Sequence, residues 1–485
     1  MSTPQTNTSP AASIVDALIP IGFLIVGLFL SVRFFGEDSS YGPNQIVLLL
    51  SGCSALLVGM KNGSSWASLE KGIYHGMTVV FAPSFILLAV GMMIASWIAG
   101  GVVPTMIYYG LTLLNPTIFY AAVCLVCAIV AISIGSSWTT AASVGVAMIG
   151  TSAGLGLSPA ICAGAVISGA YFGDKMSPMS DTTNLAPAVA GVDLFSHIRH
   201  MTWTTFPALL IALVLFAGLG ITADPGTSSN ELENTLAVLE SNFTLGWYLL
   251  LPLVVLLVMA WKKIPALPSI LVAAFLGLIL ALLFQPSLAG GEEGFQNWFR
   301  AAWTIMFAGY NAGTGDAILD DLLSGGGASN MMNTIWLMMC AIFFGGAMEQ
   351  TGMLKTLVAA IMSRAKTTAS IILSTVLTCI GANIITADQY MAIVVPGRMY
   401  KVAFNHHNLA PVNLSRVIED AGTVTSALVP WNTCGAFMAA TLGVPTMVYL
   451  PFCFFNLSVP VISVIYGMLN FKILPLEAEG DLQQA

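Results

Sequence analysis

Long apolar runs, each closed by a short polar or Gly- and Pro-bearing interruption, make up most of this chain. Runs close to the roughly 20 residues needed to cross a bilayer as helix predict membrane spans over about Ala17 to Val32, Asn44 to Met60 and Met77 to Ile98, the last kinked at Pro83. Residues 1–16 are polar and predict a disordered tail. They have no basic n-region and no cleavage site, so the first run reads as a retained span and not a signal peptide. Gly100 to Pro116 is too interrupted by Gly and Pro to assign. Two arms follow, Thr117 to Ile134 and Ala141 to Ala153, joined by Gly135-Ser136-Ser137-Trp138-Thr139-Thr140. The short second arm predicts a re-entrant hairpin with its tip near the midplane.

The apolar run from Pro159 to Phe172 then meets Gly173-Asp174-Lys175-Met176-Ser177-Pro178-Met179-Ser180-Asp181-Thr182-Thr183-Asn184, a pattern that predicts a helix broken inside the membrane. A charged side chain at the bilayer centre costs about 2.5–3.5 kcal/mol on insertion scales, so this cluster marks a functional site. Asp193 to His200 reads as a basic loop. Spans follow at Thr202 to Ile221, Gly246 to Trp261, Pro265 to Phe284 and Met331 to Gln350, and residues 285–330 read as surface or interfacial structure with one glycine-rich turn.

Composition agrees with the pattern. Hydrophobic residues make up 57% and charged residues 8% of the 485, and the mean hydropathy is +0.86, far from a soluble domain with about a quarter charged residues. Strands of a β-barrel would alternate polar and apolar, which these runs do not. The net charge of -8 argues against nucleic acid as a partner. Lys and Arg gather in Asp193 to His200, Lys262-Lys263, Lys355 to Lys366, Arg398 to Arg416 and the tail at Lys472. One side, the cytoplasmic one, accommodates all of them if the broken span crosses once. Cys124 and Cys127 form a CxxC inside an apolar run, where packing is the better reading.

The later part of the chain repeats the earlier one. Leu157 to Val192 aligns without a gap on Leu409 to Val444, matching Pro159 with Pro411, Pro178 with Pro430 and Gly191 with Gly443. Ile134-Gly135 with Thr140 resembles Ile380-Gly381 with Thr386, after a short difference in loop length. Four crossings between the copies make them inverted, the signature of secondary transporters. The expected fold is an all-α polytopic membrane protein with inverted repeats, two re-entrant hairpins and two discontinuous helices, about 10–13 membrane-embedded elements. It divides into the tail 1–16, a first half 17–192, connecting scaffold helices 193–368, a second, inverted half 369–470, and a C-terminal tail 471–485.

A hard cation such as Na+ takes oxygen ligands, and both breaks supply them. Candidates are Asp174, Ser177, Asp181, Thr182, Thr183 and Asn184 in the first copy, and Glu419, Asp420, Asn432 and Thr433 in the second. Ser136 and Ser137 from one hairpin tip, and Asn383, Thr386 and Asp388 from the other, would close over them. Asp174 and Asp181 are the expected Na+ carboxylates, where cation and proton compete, since burial disfavours an ionised carboxyl and a bound cation restores it. Competing readings are an N-cap for Ser180-Asp181, a neutralising role for Lys175 beside Asp174, and a cytoplasmic helix start for Glu419-Asp420. Gly313-Thr314-Gly315-Asp316 fits the GxGD of an intramembrane aspartyl protease, but lies in a polar segment. His406-His407 reads as a solvated basic loop.

The run GDKMSPMSDTTNLAPAVAGVDLFSHIRHM, with ILDDLLSGGG near Ile318 and EDAGTVTSALVPWNTCGAFMA, resembles the NhaC family of sodium/proton antiporters. The resemblance implies a gradient-driven carrier in the cytoplasmic (inner) membrane, not an enzyme, with no cofactor beyond the transported Na+ and H+, and a homodimeric scaffold with a moving domain. Relatives that carry malate, lactate or amino acids make a Na+- or H+-coupled organic solute carrier the alternative. An organic anion would need a fixed Arg or several helix N-termini.

Overall fold

The computed structural model describes residues 12–113, 115–223, 229–285, 295–315, 319–320 and 323–476. Among these, eight helices are long and apolar enough to cross a membrane, or up to ten if two sharply bent pairs each count as one span. The β pairings among the described residues are two isolated bridges, Tyr310 with Gly325 and Leu409 with Pro475. The protein is an all-α, multi-pass membrane protein.

The first helix, Ile14–Phe35, starts before the apolar run does. Ser13 Oγ accepts from the Asp16 N–H at 3.1 Å and the Asp16 carboxylate accepts from the Ser13 N–H at 3.0 Å, a capping box that satisfies otherwise orphaned donors. Residues 14–16, assigned to the disordered tail by pattern, are therefore a first turn; residues 1–11 lie outside the described residues. Pro43–Lys61 packs on Met332–Gln350, which packs in turn on Trp66–Ala99, and Ala266–Phe284 lies along the same long helix. These form a frame. The unassigned stretch 100–116 holds a helix, Val102–Leu113, that packs on Val146–Gly154.

The first hairpin departs from expectation in its second arm. Phe119–Ile134 ends at Gly135, which is left-handed at φ +76°, and Ser136 caps a helix that runs from Ser137 through a π-helical turn, Ala141–Gly145, to Gly154. The polar residues assigned to the tip are its first turn. They stay helical because Thr140 and Ser143 donate back to the Ser136 and Thr139 carbonyls, at 2.9 and 2.7 Å. The short arm was the ground for a re-entrant reading, and this arm is not short.

Pro159–Met176 follows, then the break at Ser177-Pro178-Met179, then Asp181–Ala190. Phe119–Ile134 lies closely along Pro159–Met176 because Gly169 and Gly173 offer no side chain. A Cβ on Gly169 would stand 2.1 Å from the Cys124 carbonyl oxygen, and one on Gly173 would stand 2.4 Å from that of Ala128. Gly173→Val is therefore expected to lower the melting temperature in detergent, by an overpacking cost of about 1–3 kcal/mol or more. Cys124 and Cys127 are buried free thiols in this interface.

Thr368–Thr386 and Gln389–His406 pack on each other as the second hairpin, turned at Ala387 (φ +56°). Pro411–Ile418 continues through a π-helical turn, Glu419–Thr423, to the break around Pro430, after which Thr433–Leu442 begins. One spacing relates the two copies throughout: Gly135 to Ala387, Ser136 to Asp388, Pro159 to Pro411, Pro178 to Pro430, Ser180 to Asn432 and Gly191 to Gly443. The Gly135 equivalent is thus Ala387, not Gly381, and no difference in loop length intervenes.

Asp193 to His200 is not a loop. Asp193 caps Leu194–Thr222 by accepting from the Ser196 N–H at 2.9 Å, and His197 and His200 are buried within its first turns. Arg416, assigned to a cytoplasmic loop, is fully buried. In the segment 285–330 the described part is a helix, Phe295–Ala308, on the flank of Trp66–Ala99, then the glycine turn. Thr314 donates its N–H and hydroxyl to Asp320 at 2.5 and 2.7 Å and Gly315 its N–H at 3.2 Å, bonds that hold the Asp320 carboxyl below the usual range. That turn is structural; Asp316 lies outside the described residues.

Candidate functional site

Both hairpin turns and both helix breaks open on one cavity of about 440 Å³. The first hairpin contributes Ser136, Ser137, Trp138 and Thr139, and the first broken helix Asp174, Ser180, Asp181 and Thr182. From the second copy come Asp388, Gln389, Tyr390 and Thr433, and Pro83, Ile86, Ala266 and Ile270 of the frame close the wall.

Four helices start here. Ser136 Oγ accepts from the Thr139 N–H at 3.2 Å, Ser180 Oγ from the Thr183 N–H at 3.4 Å, Asp388 Oδ1 from the Met391 N–H at 2.9 Å, and Asn432 Oδ1 from the Cys434 N–H at 3.0 Å. The positive ends of four helix dipoles therefore face three carboxylates, those of Asp174, Asp181 and Asp388. Among the described residues, no Lys or Arg lines this cavity.

Asp174 belongs to the last turn before the first break, and its Oδ2 accepts from the Ser137 hydroxyl at 2.7 Å and the Ser137 N–H at 3.2 Å. This ties the broken helix to the hairpin turn. The second copy makes the equivalent contact between the equivalent residues: Ser426 Oγ lies 3.3 Å from Gln389 Oε1. The turn at Ala387 is tied to the second break by its carbonyl, which accepts from the Thr433 N–H at 2.9 Å. Asp181 is exposed to the cavity. A second, adjoining cavity of about 450 Å³ shares Gly135, Ser136, Thr139, Asp181 and Ala266, and runs past Asn184 to Lys263.

Of the expected ligands, Asp174, Asp181, Thr182, Ser136, Ser137, Asp388 and Thr433 line the central cavity and Asn184 lines the adjoining one. Ser180 does act as an N-cap, as the competing reading holds, and also reaches the cavity.

Other candidates brace the breaks. The Thr183 hydroxyl spans the Asp174 and Lys175 carbonyls, each at 3.1 Å, and the Asn184 amide donates to the Pro178 and Ser180 carbonyls at 2.9 and 2.7 Å. Ser177 Oγ accepts from the Met179 N–H at 3.3 Å. Asn383 donates to the Gly422 carbonyl and Thr425 hydroxyl at 2.7 and 3.0 Å, and accepts from the Asn432 amide at 3.0 Å. Thr386 bonds back to the Ala382 carbonyl at 2.9 Å. Carbonyls and amides freed by a helix break need partners when buried, and these side chains are the partners.

Glu419 and Asp420 lie behind the cavity wall, not at a helix start. Lys175 does not neutralise Asp174; its ammonium pairs with Asp420, both fully buried, joining the two broken helices. Asp420 Oδ1 also accepts from the Thr204 hydroxyl at 3.0 Å, and Arg416 Nε stands 4.0 Å from Oδ2. Gln389 and Tyr390 were not anticipated; extending the gapless repeat back to the hairpins would have found Gln389 opposite Ser137.

The sequence pattern of the Na+/H+ antiporter family matches residues 169–471. The chain is 39% identical to the Na(+)/H(+) antiporter NhaC of Alkalihalophilus pseudofirmus, over 93% of this chain and 96% of that one. It is 36% identical to the arginine/ornithine antiporter ArcD of Halobacterium salinarum, over 97% and 95% of the two chains. It is 34% identical to the malate-2H(+)/Na(+)-lactate antiporter of Bacillus subtilis, over 93% and 95%.

Proposed function

The chain belongs to the Na+/H+ antiporter family, and on that premise we propose that it exchanges Na+ for H+ across the cell membrane, cation and proton competing for the cavity carboxylates. The observation that carries this reading is the cavity wall: Asp174, Asp181 and Asp388 meet there with hydroxyls of Ser136, Thr139, Thr182 and Thr433, and no fixed cation joins them among the described residues. Na+ fits such an all-oxygen environment. A carboxylate without its cation in a dry site takes a proton instead, and one site that holds either but not both is sufficient for exchange. The two copies act as inverted halves, and the path past Asn184 and Lys263 serves as the cytoplasmic approach.

The same wall disfavours an organic anion such as malate or lactate: the four helix N-termini that could receive one already face the carboxylates of Asp174, Asp181 and Asp388, and Lys175 is committed to Asp420. Full-length protein in proteoliposomes provides the test. Added Na+ should collapse or form a pH gradient, and the half-saturating Na+ concentration should rise as pH falls, because protons occupy the same carboxylates. Labelled malate, lactate, arginine or ornithine taken up in place of Na+-linked proton movement would sink the reading.

A further inference from the structure

Equivalent residues tie each hairpin turn to its broken helix, but the two ties do not distribute their protons alike. In the first, the Ser137 hydroxyl and N–H donate to the Asp174 carboxylate. In the second, Ser426 Oγ stands 3.3 Å from an acceptor, Gln389 Oε1. A serine hydroxyl carries one proton and two lone pairs. That proton goes to the Thr423 carbonyl, the shortest of the Ser426 contacts at 2.6 Å, while the Tyr171 hydroxyl lies 3.3 Å away. Ser426 therefore meets Tyr171 and Gln389 as an acceptor, and an amide oxygen there sets lone pair against lone pair. A half-turn of the carboxamide, which leaves its outline unchanged, removes the conflict. Nε2 then donates to Ser426, as Ser137 donates to Asp174, and Oε1 turns away from Ser426.

The Gln389 side chain is buried in the wall of the 440 Å³ cavity, and the Ser426 contact is its hydrogen bond to the protein among the described residues. A buried amide oxygen without a partner costs free energy, so one turned into this wall calls for something electropositive. We propose, resting on the exchange reading, that Gln389 Oε1 is a ligand of the transported cation, supplied by the second hairpin as Asp174 is by the first broken helix. It is a neutral member of the oxygen set. An amide offers the same kind of hard oxygen as a carboxylate, yet adds no charge to a cavity that already holds Asp174, Asp181 and Asp388. The number of ligands is thereby set apart from the net charge of the site.

The full chain, in detergent and in proteoliposomes, provides the test. Gln389→Met keeps the length of the side chain and removes the amide oxygen. Its half-saturating Na+ concentration is expected to rise about tenfold or more, both in flux and in thermal stabilisation by Na+ in detergent. Ion choice depends on ligand number and cavity size, so the ratio of half-saturating Li+ and Na+ concentrations should shift as well; a lost brace would move both ions alike. Ser426→Ala removes the tie but spares the amide oxygen. It should lower the melting temperature and keep the Li+ to Na+ ratio of the wild type.

Wild-type Na+ affinity in a folded Gln389→Met, or the same change of ratio in Ser426→Ala, would overturn the proposal while the exchange reading stands. A wild type that Na+ neither stabilises nor drives to move protons fails the exchange reading itself and takes the proposal with it. If Gln389→Met does not fold, Gln389→Asn replaces it, because it withdraws the oxygen by one methylene. A raised Na+ requirement with a shifted Li+ to Na+ ratio then supports the proposal, and wild-type values overturn it.

Discussion

Asp174→Asn is expected to abolish Na+-driven proton movement in a protein that still folds. The amide keeps an oxygen where Oδ2 stands, so the Ser137 hydroxyl and N–H, now at 2.7 and 3.2 Å, retain an acceptor and the hairpin stays tied to the broken helix. What disappears is the charge. Hydrogen bonds to charged groups are worth about 1.5–3 kcal/mol, and a directly coordinated cation depends on the charge at least as much, so a loss of about 100-fold or more in transport is expected. Asp181→Asn, at the junction of the two cavities, is expected to raise the half-saturating Na+ concentration more than it slows turnover. Flux in proteoliposomes against Na+ concentration, with melting in detergent as the control for folding, checks both. Asp174→Asn with wild-type flux would remove this carboxylate from the mechanism.

Lys175→Met is expected to be the most destabilising substitution of a charged side chain. It leaves Asp420 fully buried with the Thr204 hydroxyl and a guanidinium nitrogen no closer than 4.0 Å. Removing one member of a buried pair costs about 3–5 kcal/mol, mainly because the other charge remains unpaired. Because that cost lies in the survivor, Lys175→Met combined with Asp420→Asn should lose less than the sum of the single losses. A melting series of the wild type, both single variants and the double variant measures the coupling. Strict additivity would mean that the ion pair does not join the two broken helices energetically.

The first broken helix was legible because a proline and a charge cluster interrupted a largely apolar run, the second because it repeats the first, and composition with unbroken apolar runs decided for a helical membrane protein. The hairpin turns were less legible. Ser137, Thr139 and Thr140 look like a polar loop, yet side chains that bond to the preceding turn keep them helical. Matching Gly135 to Gly381 on residue identity also hid the true partner, Ala387, which adopts a left-handed conformation without being glycine. Glu419 and Asp420 stood among the expected ligands as the acids that precede the proline of the second break. Asp174 precedes Pro178 by about one helical turn, whereas Asp420 stands almost two turns further back from Pro430, roughly 9 Å at 1.5 Å per residue. That displacement takes them from the cavity to the wall behind it. The burial of His197, His200 and Arg416 was hidden by their composition, since basic residues near a span end ordinarily meet water.

The meeting of four helix starts at one cavity also bears on the valence of the ion expected there. Each start contributes roughly half a positive charge, together about +2 against three carboxylates, so the vacant, ionised cavity carries a residual of about one negative charge. A single alkali ion would cancel it, whereas calcium or magnesium would leave an uncompensated positive charge. Weaker binding of divalent than of alkali ions is therefore the expected consequence of backbone architecture, before ionic radius has any part in it.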